Sequence, residues 1–370
     1  MKISFLLPLA AAFMLALVSC NSKTKDPVKV VDPIKAVDPV GQDDPNDPAE
    51  NLPDHITRLT RFGQRADWSH DGSRILFLEK TFGDVYEVEV ATGNITPVTH
   101  HYYHEGYVRA LYLPNGDILL SGAASFDAEN PMPSRYSQAE LWVLDKSLRK
   151  PPVRLNEKCS EGPAVSRKHM RIAWRVDSDD YPERMEKGSV QIWTGDIEYR
   201  DGVPELINRK QVLDNRDYPF KFNPEPQNFR PPDETKLIFS SYGYQGCDVM
   251  GLDLASGEVV NYSNAPDQYD EPEGIFPDGK FILVECDHHR SSEVPTGSGN
   301  IDIHKLTLDG SGSLERLTYF NDFPGGKASN PVVSDNGEYM AFQMARSTDM
   351  AGVGYGIFIY DFTMSARNTR

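Results

Sequence analysis

Nine side chains able to hold a polar ligand recur at one place in a repeated text: Gln64 and Arg65, Arg109, Glu161, Gln227 and Asn228, Glu271 and Glu273, and Asn330. Each stands a few residues ahead of a turn. Arginine offers a planar fork of donors that fits a carboxylate, and side-chain amides fit hydroxyls. Gathered in one mouth, such a set suits a polyhydroxy or carboxylated ligand. The same charges, paired with one another and with water, need no ligand at all. Glu271-Pro272-Glu273 and Glu225-Pro226-Gln227 each set two acceptors on either side of a proline. Paired carboxylates suit acid–base work when one is desolvated, or a hard cation such as calcium; a plain structural role is an equal alternative.

Histidines cluster twice. His100, His101 and His104 precede Glu105, and His288 and His289 follow Asp287. Paired imidazoles can share a transition metal, so His100, His104 and His288 are metal candidates. No helix is expected at either place to bring the rings to one face, and a solvated loop is the competing reading. The sequence has no Gly-rich phosphate loop, no G-x-S-x-G and no His-Glu-x-x-His. No cofactor is therefore expected. Trp68, Trp142, Trp174 and Trp193 all fall in strand-like runs and are expected to pack between strands rather than to form a sugar platform.

The elements that must position these groups are hairpins. EGIFPDGKFILVE (273–285) reads as strand, tight turn, strand, and Asp-Gly at its tip accepts the positive φ that the turn needs. The layout returns at 66–79, 109–122, 163–176, 228–241 and 330–343. Turn centres near 71, 115, 168, 233, 278 and 336 are separated by one small unit of short strands, the pattern of propeller blades. The first unit shows four strands: 65–69, 74–79, 84–90 and 95–99. The last unit stops after its third strand, and Ile56 to Thr60 is an orphan strand at the front of the folded part. The expectation is an all-β, six-bladed β-propeller over 55–365, closed by the strand at 56–60 completing the last blade.

Trp68-Ser69-His70-Asp71-Gly72-Ser73-Arg74-Ile75-Leu76-Phe77 resembles the repeat of TolB-type (WD40-like) propellers. Similar repeats occur in the propeller domains of prolyl oligopeptidases and in oligogalacturonate lyases. The resemblance runs through all six repeats, the first and fifth most closely. The third has Lys168-His169 where Asp-Gly is usual, and the fourth has Pro231-Pro232-Asp233-Glu234. It implies the fold; propellers host many activities. Oligogalacturonate lyases hold a metal at the propeller mouth through His and Gln, and that set does not match residue by residue here.

The front of the chain sets the compartment. Lys2, an apolar run from Phe5 to Val18, and Leu17-Val18-Ser19-Cys20 resemble the signal peptide and lipobox of bacterial lipoproteins. The expectation is a signal peptide over 1–20, lipid on Cys20, and a membrane attachment through that N-terminal lipid. Residues 21–54 repeat Val-Asp-Pro, lack aromatics and are expected to be a disordered tether. Cys159, Cys247 and Cys286 remain; buried free thiols are expected, with one bridge as the alternative. A net charge of −17 excludes nucleic acid as the main partner.

Two functions follow as expectations. The first is a monomeric, lipid-anchored outer-membrane protein of the bacterial cell envelope, facing the periplasm or the cell surface, whose propeller binds an envelope protein or a glycan without catalysis. The second is a metal-assisted polysaccharide lyase acting on acidic oligosaccharides at the propeller mouth.

Overall fold

The computed structural model of the protein describes residues 46–368 except positions 161, 292 and 351. The expected signal peptide, Cys20 and most of the tether lie outside the described residues.

Strand β1 (Ile56–Arg58) comes first. β2 (Gln64–Trp68), β3 (Arg74–Leu78), β4 (Val85–Glu89) and β5 (Ile95–Pro97) form one antiparallel sheet. β6 (Arg109–Tyr112), β7 (Ile118–Ala123), β8 (Ala139–Leu144) and β9 (Val153–Lys158) form the next. A third holds β10 (Ala164–Val165), β11 (Arg171–Asp177), β12 (Val190–Arg200) and β13 (Val203–Asp214). Then come β14 (Asn223–Phe229), β15 (Lys236–Tyr242), β16 (Gly246–Asp253) and β17 (Val259–Asn261), followed by β18 (Gln268–Ile275), β19 (Phe281–Cys286), β20 (Asp302–Thr307) and β21 (Leu314–Arg316). The chain ends on β22 (Gly326–Val333), β23 (Tyr339–Arg346) and β24 (Ile357–Asp361). Helices are minor among the described residues: α1 (Met132–Arg135) and α2 (Phe362–Asn368). No described helix is long and apolar enough to cross a membrane.

All six expected hairpins are present as antiparallel pairs joining the first and second strands of each unit. Their turns explain why. In the first, Gly72 takes φ 70°, and Asp71 Oδ1 accepts from the Ser69 hydroxyl, the Ser73 amide and the Ser73 hydroxyl. Those donors, Ser69 first, pull the Asp71 carboxyl down to about 2. In the third turn, which has no Asp-Gly, Ser166 Oγ accepts from the amides of Lys168 at 3.1 Å and His169 at 2.8 Å. A hydroxyl there substitutes for the missing carboxylate.

The orphan strand β1 pairs antiparallel with β24, Ile56 opposite Tyr360 and Arg58 opposite Phe358. Four sheets of four strands are separate, and β14 to β21 make one sheet of eight. The cause is local. β17 covers only Met250–Leu252 of β16, which leaves Gly246 and Cys247 free to pair in parallel with Gln268 and Tyr269 of β18.

The apolar core lies between successive units. Leu76 and Leu78 pack with Ile118 and Leu120, and Leu119 and Leu141 pack with Trp174. Ile192 meets Phe239, Ile238 meets Ile282, and Leu283 meets Phe342. The last of these clusters joins chain end to chain start: Ala341 and Ile357 pack on Trp68 and Phe77. Trp68 and Trp174 are fully buried, and Trp142 and Trp193 are partly covered, in line with a packing role. Cys159, Cys247 and Cys286 are buried, and Cys247 and Cys286 are free thiols.

Candidate binding cavity on the innermost strands

The first strand of every unit contributes to one cavity of about 280 Å³. β2 brings Ala66 and Asp67, β6 Arg109 and Leu111, and β10 Ala164 and Val165. β14 brings Glu225, Gln227, Asn228 and Phe229, β18 Glu273 and Ile275, and β22 Asn330 to Val333. The hairpin turns add Arg167, Lys168, Glu234 and Asp335. Five carboxylates thus face three cations beside an apolar lining.

Four of these inner strands carry a β-bulge where the candidate residues sit. The register shifts between Gln64 and Asp67, Pro226 and Asn228, Pro272 and Ile275, and Ser329 and Val332. Arg65 and Asn330 take φ 55° and 49° within them. A bulge re-aims the side chains that follow it. At Gly274 the β22 backbone comes so close that a Cβ would stand 2.8 Å from Pro331 O.

The expected ligand residues divide accordingly. Arg109, Gln227, Glu273 and Asn330 line the cavity. Asn330 Nδ2 donates to Glu273 Oε1 at 3.0 Å, and Asn228 Nδ2 donates to Glu273 O at 2.8 Å. Gln227 Nε2 donates to Ser240 Oγ at 3.3 Å. Arg109 fits because position 162 is glycine; a Cβ there would stand 2.7 Å from Arg109 Nε. Arg65 and Glu271 do not line it. Arg65 is buried, with Nη1 donating to Val108 O at 2.7 Å. Both carboxylate oxygens of Glu271 are taken by tyrosine hydroxyls, one from Tyr242 and one from Tyr269. Glu161 lies outside the described residues.

Glu285, on the second strand of its unit, was not among the expected residues. It sits buried beside this set, and its Oε1 accepts from the Asn330 amide at 2.6 Å. Burial, and then the Glu271 charge, push Glu285 up to about 8. Glu273 is also raised well above the carboxylate range, by burial first; Arg109 opposes the shift and Glu271 adds to it. Both shifts run toward the neutral carboxyl, with burial as the first cause of each.

At the turns, Arg167 and Asp335 pair, and Arg167 also reaches Asp67, with Nη1 at 3.6 Å from Asp67 Oδ1. Asp67 is buried and raised by that burial. Arg167 and Asp335 are turn residues of ordinary appearance, and no signal in the sequence marked them.

The histidine candidates stand away from the cavity. His104 Nε2 lies 2.8 Å from Asp84 Oδ1, and His100 Nδ1 lies 3.2 Å from Asp84 Oδ2. Burial alone would raise Asp84; hydrogen bonds from Thr99, His104 and His100 outweigh it and leave the carboxyl below its usual range. The cluster thus reads as two rings on one carboxylate. His288 pairs with Asp270.

Successive short-stranded sheets whose first strands wall a single polar cavity define an all-β propeller. One solved structure agrees with that class, and two others align more loosely. A putative TolB from Agrobacterium tumefaciens aligns at 16% identity over 72% of this chain and 79% of its own, with a TM-score of 0.50. TolB from Acinetobacter baumannii aligns at 16% identity over 80% of this chain and 65% of its own, under two thirds of that protein, with a TM-score of 0.45. An oligogalacturonate lyase from Vibrio parahaemolyticus aligns at 12% identity over 83% of this chain and 93% of its own, with a TM-score of 0.46. At 16% identity the first of these likenesses shows the fold alone. No family model matches the sequence, and no curated protein matches it.

Proposed function

We propose that the protein is a non-catalytic binding module whose axial cavity takes a segment of an envelope protein partner. The observation that carries this reading is the cavity lining: side chains of both charge signs and amides stand beside Leu111, Val165, Phe229 and Ile275. A polypeptide segment offers the matching mixture of backbone amides, charges and apolar groups. A glycan would use the amides and Arg109 but leave the apolar wall uncovered. The lead alternative is a metal-assisted lyase on acidic oligosaccharides, with Glu273 and Arg109 at the uronate.

The eight-stranded sheet counts as two blades, and β1 supplies the outer strand of the last, making six blades over 55–365. The interleaved cores, the last running from Ala341 and Ile357 to Trp68 and Phe77, support this closure. Residues 1–20 act as a lipoprotein signal ending at Cys20, and 21–54 act as a tether. The chain is then held by lipid at the outer membrane of a bacterial envelope, as a monomer.

The test places a photoreactive residue at Lys168, on the cavity rim, and another at Thr92, on an exposed turn between outer strands. In intact envelopes a discrete protein adduct is expected from position 168 only, and Arg109→Ala is expected to abolish it. Equal adducts from both positions, or none, overturn the reading. Release of unsaturated uronate from an acidic oligosaccharide, lost in Glu273→Gln, would establish the lyase instead.

A further inference from the structure

Away from the cavity, three chemically different donors converge on the fifth unit. The pairing of β18 with β19 sets Asp270 directly opposite Cys286, and both are fully buried. Two residues on, the chain turns back. The His288 amide donates to Cys286 Sγ at 3.5 Å, and His288 Nε2 stands 3.0 Å from Asp270 Oδ1 and 3.2 Å from Oδ2. One carboxylate oxygen, one sulfur and one imidazole nitrogen thus lie within 4.8 Å of one another. Asp270 Oδ1 is buried and makes no contact of hydrogen-bond geometry; its close polar neighbour is His288 Nε2, as an ion-pair contact.

The loop that carries His288 is anchored. Asp287 Oδ2 accepts from Arg290 Nε at 2.9 Å, Thr296 Oγ1 at 2.7 Å and the Gly297 amide at 3.0 Å, while its Oδ1 accepts from the Tyr269 amide at 2.9 Å. Asp287 therefore ties the loop to the strand that bears Asp270. Such outer contacts are what orient metal ligands.

We propose that Asp270, Cys286 and His288 form a binding site for a divalent transition ion of the zinc type, with the fourth position open to solvent beside His288. Zinc takes oxygen, nitrogen and sulfur donors at about 2.0–2.3 Å in tetrahedral array. Binding converts the Cys286 thiol to thiolate, its proton passing to solvent, and requires His288 as neutral imidazole. Asp270 and the thiolate then balance the ion's two charges. The site shares no residue with the cavity, so it stands or falls independently of the binding function.

The test titrates the full chain, stripped with chelator and then freed of it, with Co²⁺ followed by Zn²⁺. The expected result is one Co²⁺ per chain, with a thiolate-to-cobalt charge-transfer band and strong tetrahedral ligand-field bands, displaced by one equivalent of Zn²⁺. Cys286→Ser is expected to remove the charge-transfer band. His288→Ala, in a loop at the surface, is expected to weaken Co²⁺ binding by about 10-fold or more while the fold survives. A spectrum without charge transfer, or a band unchanged in both variants and so due to another thiol, overturns the proposal.

Discussion

Arg167 and Asp335, 168 positions apart, meet at the cavity: Arg167 Nε and Nη2 both donate to Asp335 Oδ1, at 2.8 and 2.6 Å. His70 Nδ1 stands 2.8 Å from the other oxygen of the same carboxylate. Arg167 Nη2 also donates to Trp68 O at 3.0 Å. One ion pair therefore ties together the hairpin turns of the first, third and last units.

Replacing Arg167 by Met is expected to lower stability by about 2 kcal/mol in urea unfolding, because the buried Asp67 loses its nearest cation. The pair also confers a pH dependence. Burial favours the neutral form of Asp335, but the His70 hydrogen bond and the Arg167 charge outweigh it and depress its carboxyl. Stability from such a group is present above the unfolded-state value and lost as pH falls through the folded one. Asp335→Asn is expected to flatten the acid limb of the stability curve, and an unchanged acid limb would remove Asp335 from this role.

Glu285 acts with the opposite sign. Its folded value, about 8, lies above that of the unfolded chain. Its contribution is therefore complete at acid pH and declines as pH rises from the ordinary carboxylate range to about 8. Glu285→Gln keeps an acceptor for the Asn330 amide. It is expected to be more stable than the parent at pH above 8 and nearly equal to it near pH 5, with a shallower slope of stability against pH between. Parallel curves for parent and variant would show that Glu285 is ionised in the folded protein.

Gly162→Ala separates binding from folding. The added Cβ meets Arg109 Nε at 2.7 Å and Cγ at 2.8 Å, so the flexible arginine moves while the backbone stays. Partner affinity is expected to fall about 10-fold, roughly 1.4 kcal/mol. Stability is expected to change by under about 1 kcal/mol. Unchanged affinity, measured by titration with the cross-linked partner once identified, would exclude Arg109 from recognition.

Thr60 tests closure. It is buried, its hydroxyl donates to Phe62 O at 2.6 Å, and it accepts from the Ile357 amide at 2.8 Å. Thr60→Val keeps the shape and loses both bonds, for an expected cost of about 1–3 kcal/mol. Removing residues through Thr60 exposes the β24 edge and is expected to cause association, read by light scattering. A monomer of parental stability would show that β1 is dispensable.

Turn chemistry was legible in the sequence because it is local. Asp71 and Gly72 act within five residues, and so do Asn336 and Gly337, which is why all six hairpins could be placed without a structure. The pairing of β1 with β24 was legible for a related reason, as a unit one strand short faced a strand without a unit. The candidate site was legible in part: Arg109, Gln227, Glu273 and Asn330 face the cavity, while Arg65 and Glu271 do not. Bulges reset the two-residue alternation of the inner strands, and the hydroxyls of Tyr242 and Tyr269 take up both Glu271 oxygens.

By itself, then, the sequence determined the strands, their turns and the family of folds, since each depends on residues a few positions apart. Only the tertiary structure decided that Arg167 meets Asp335, that Glu285 is buried near Glu271 and Glu273, and that Asp270, Cys286 and His288 converge. Those relationships arise where separate units pack, where paired strands set residues opposite one another, or where a loop folds back on its own strands. Their energies depend on burial and on charges brought close by the fold, and no spacing along the chain encodes either.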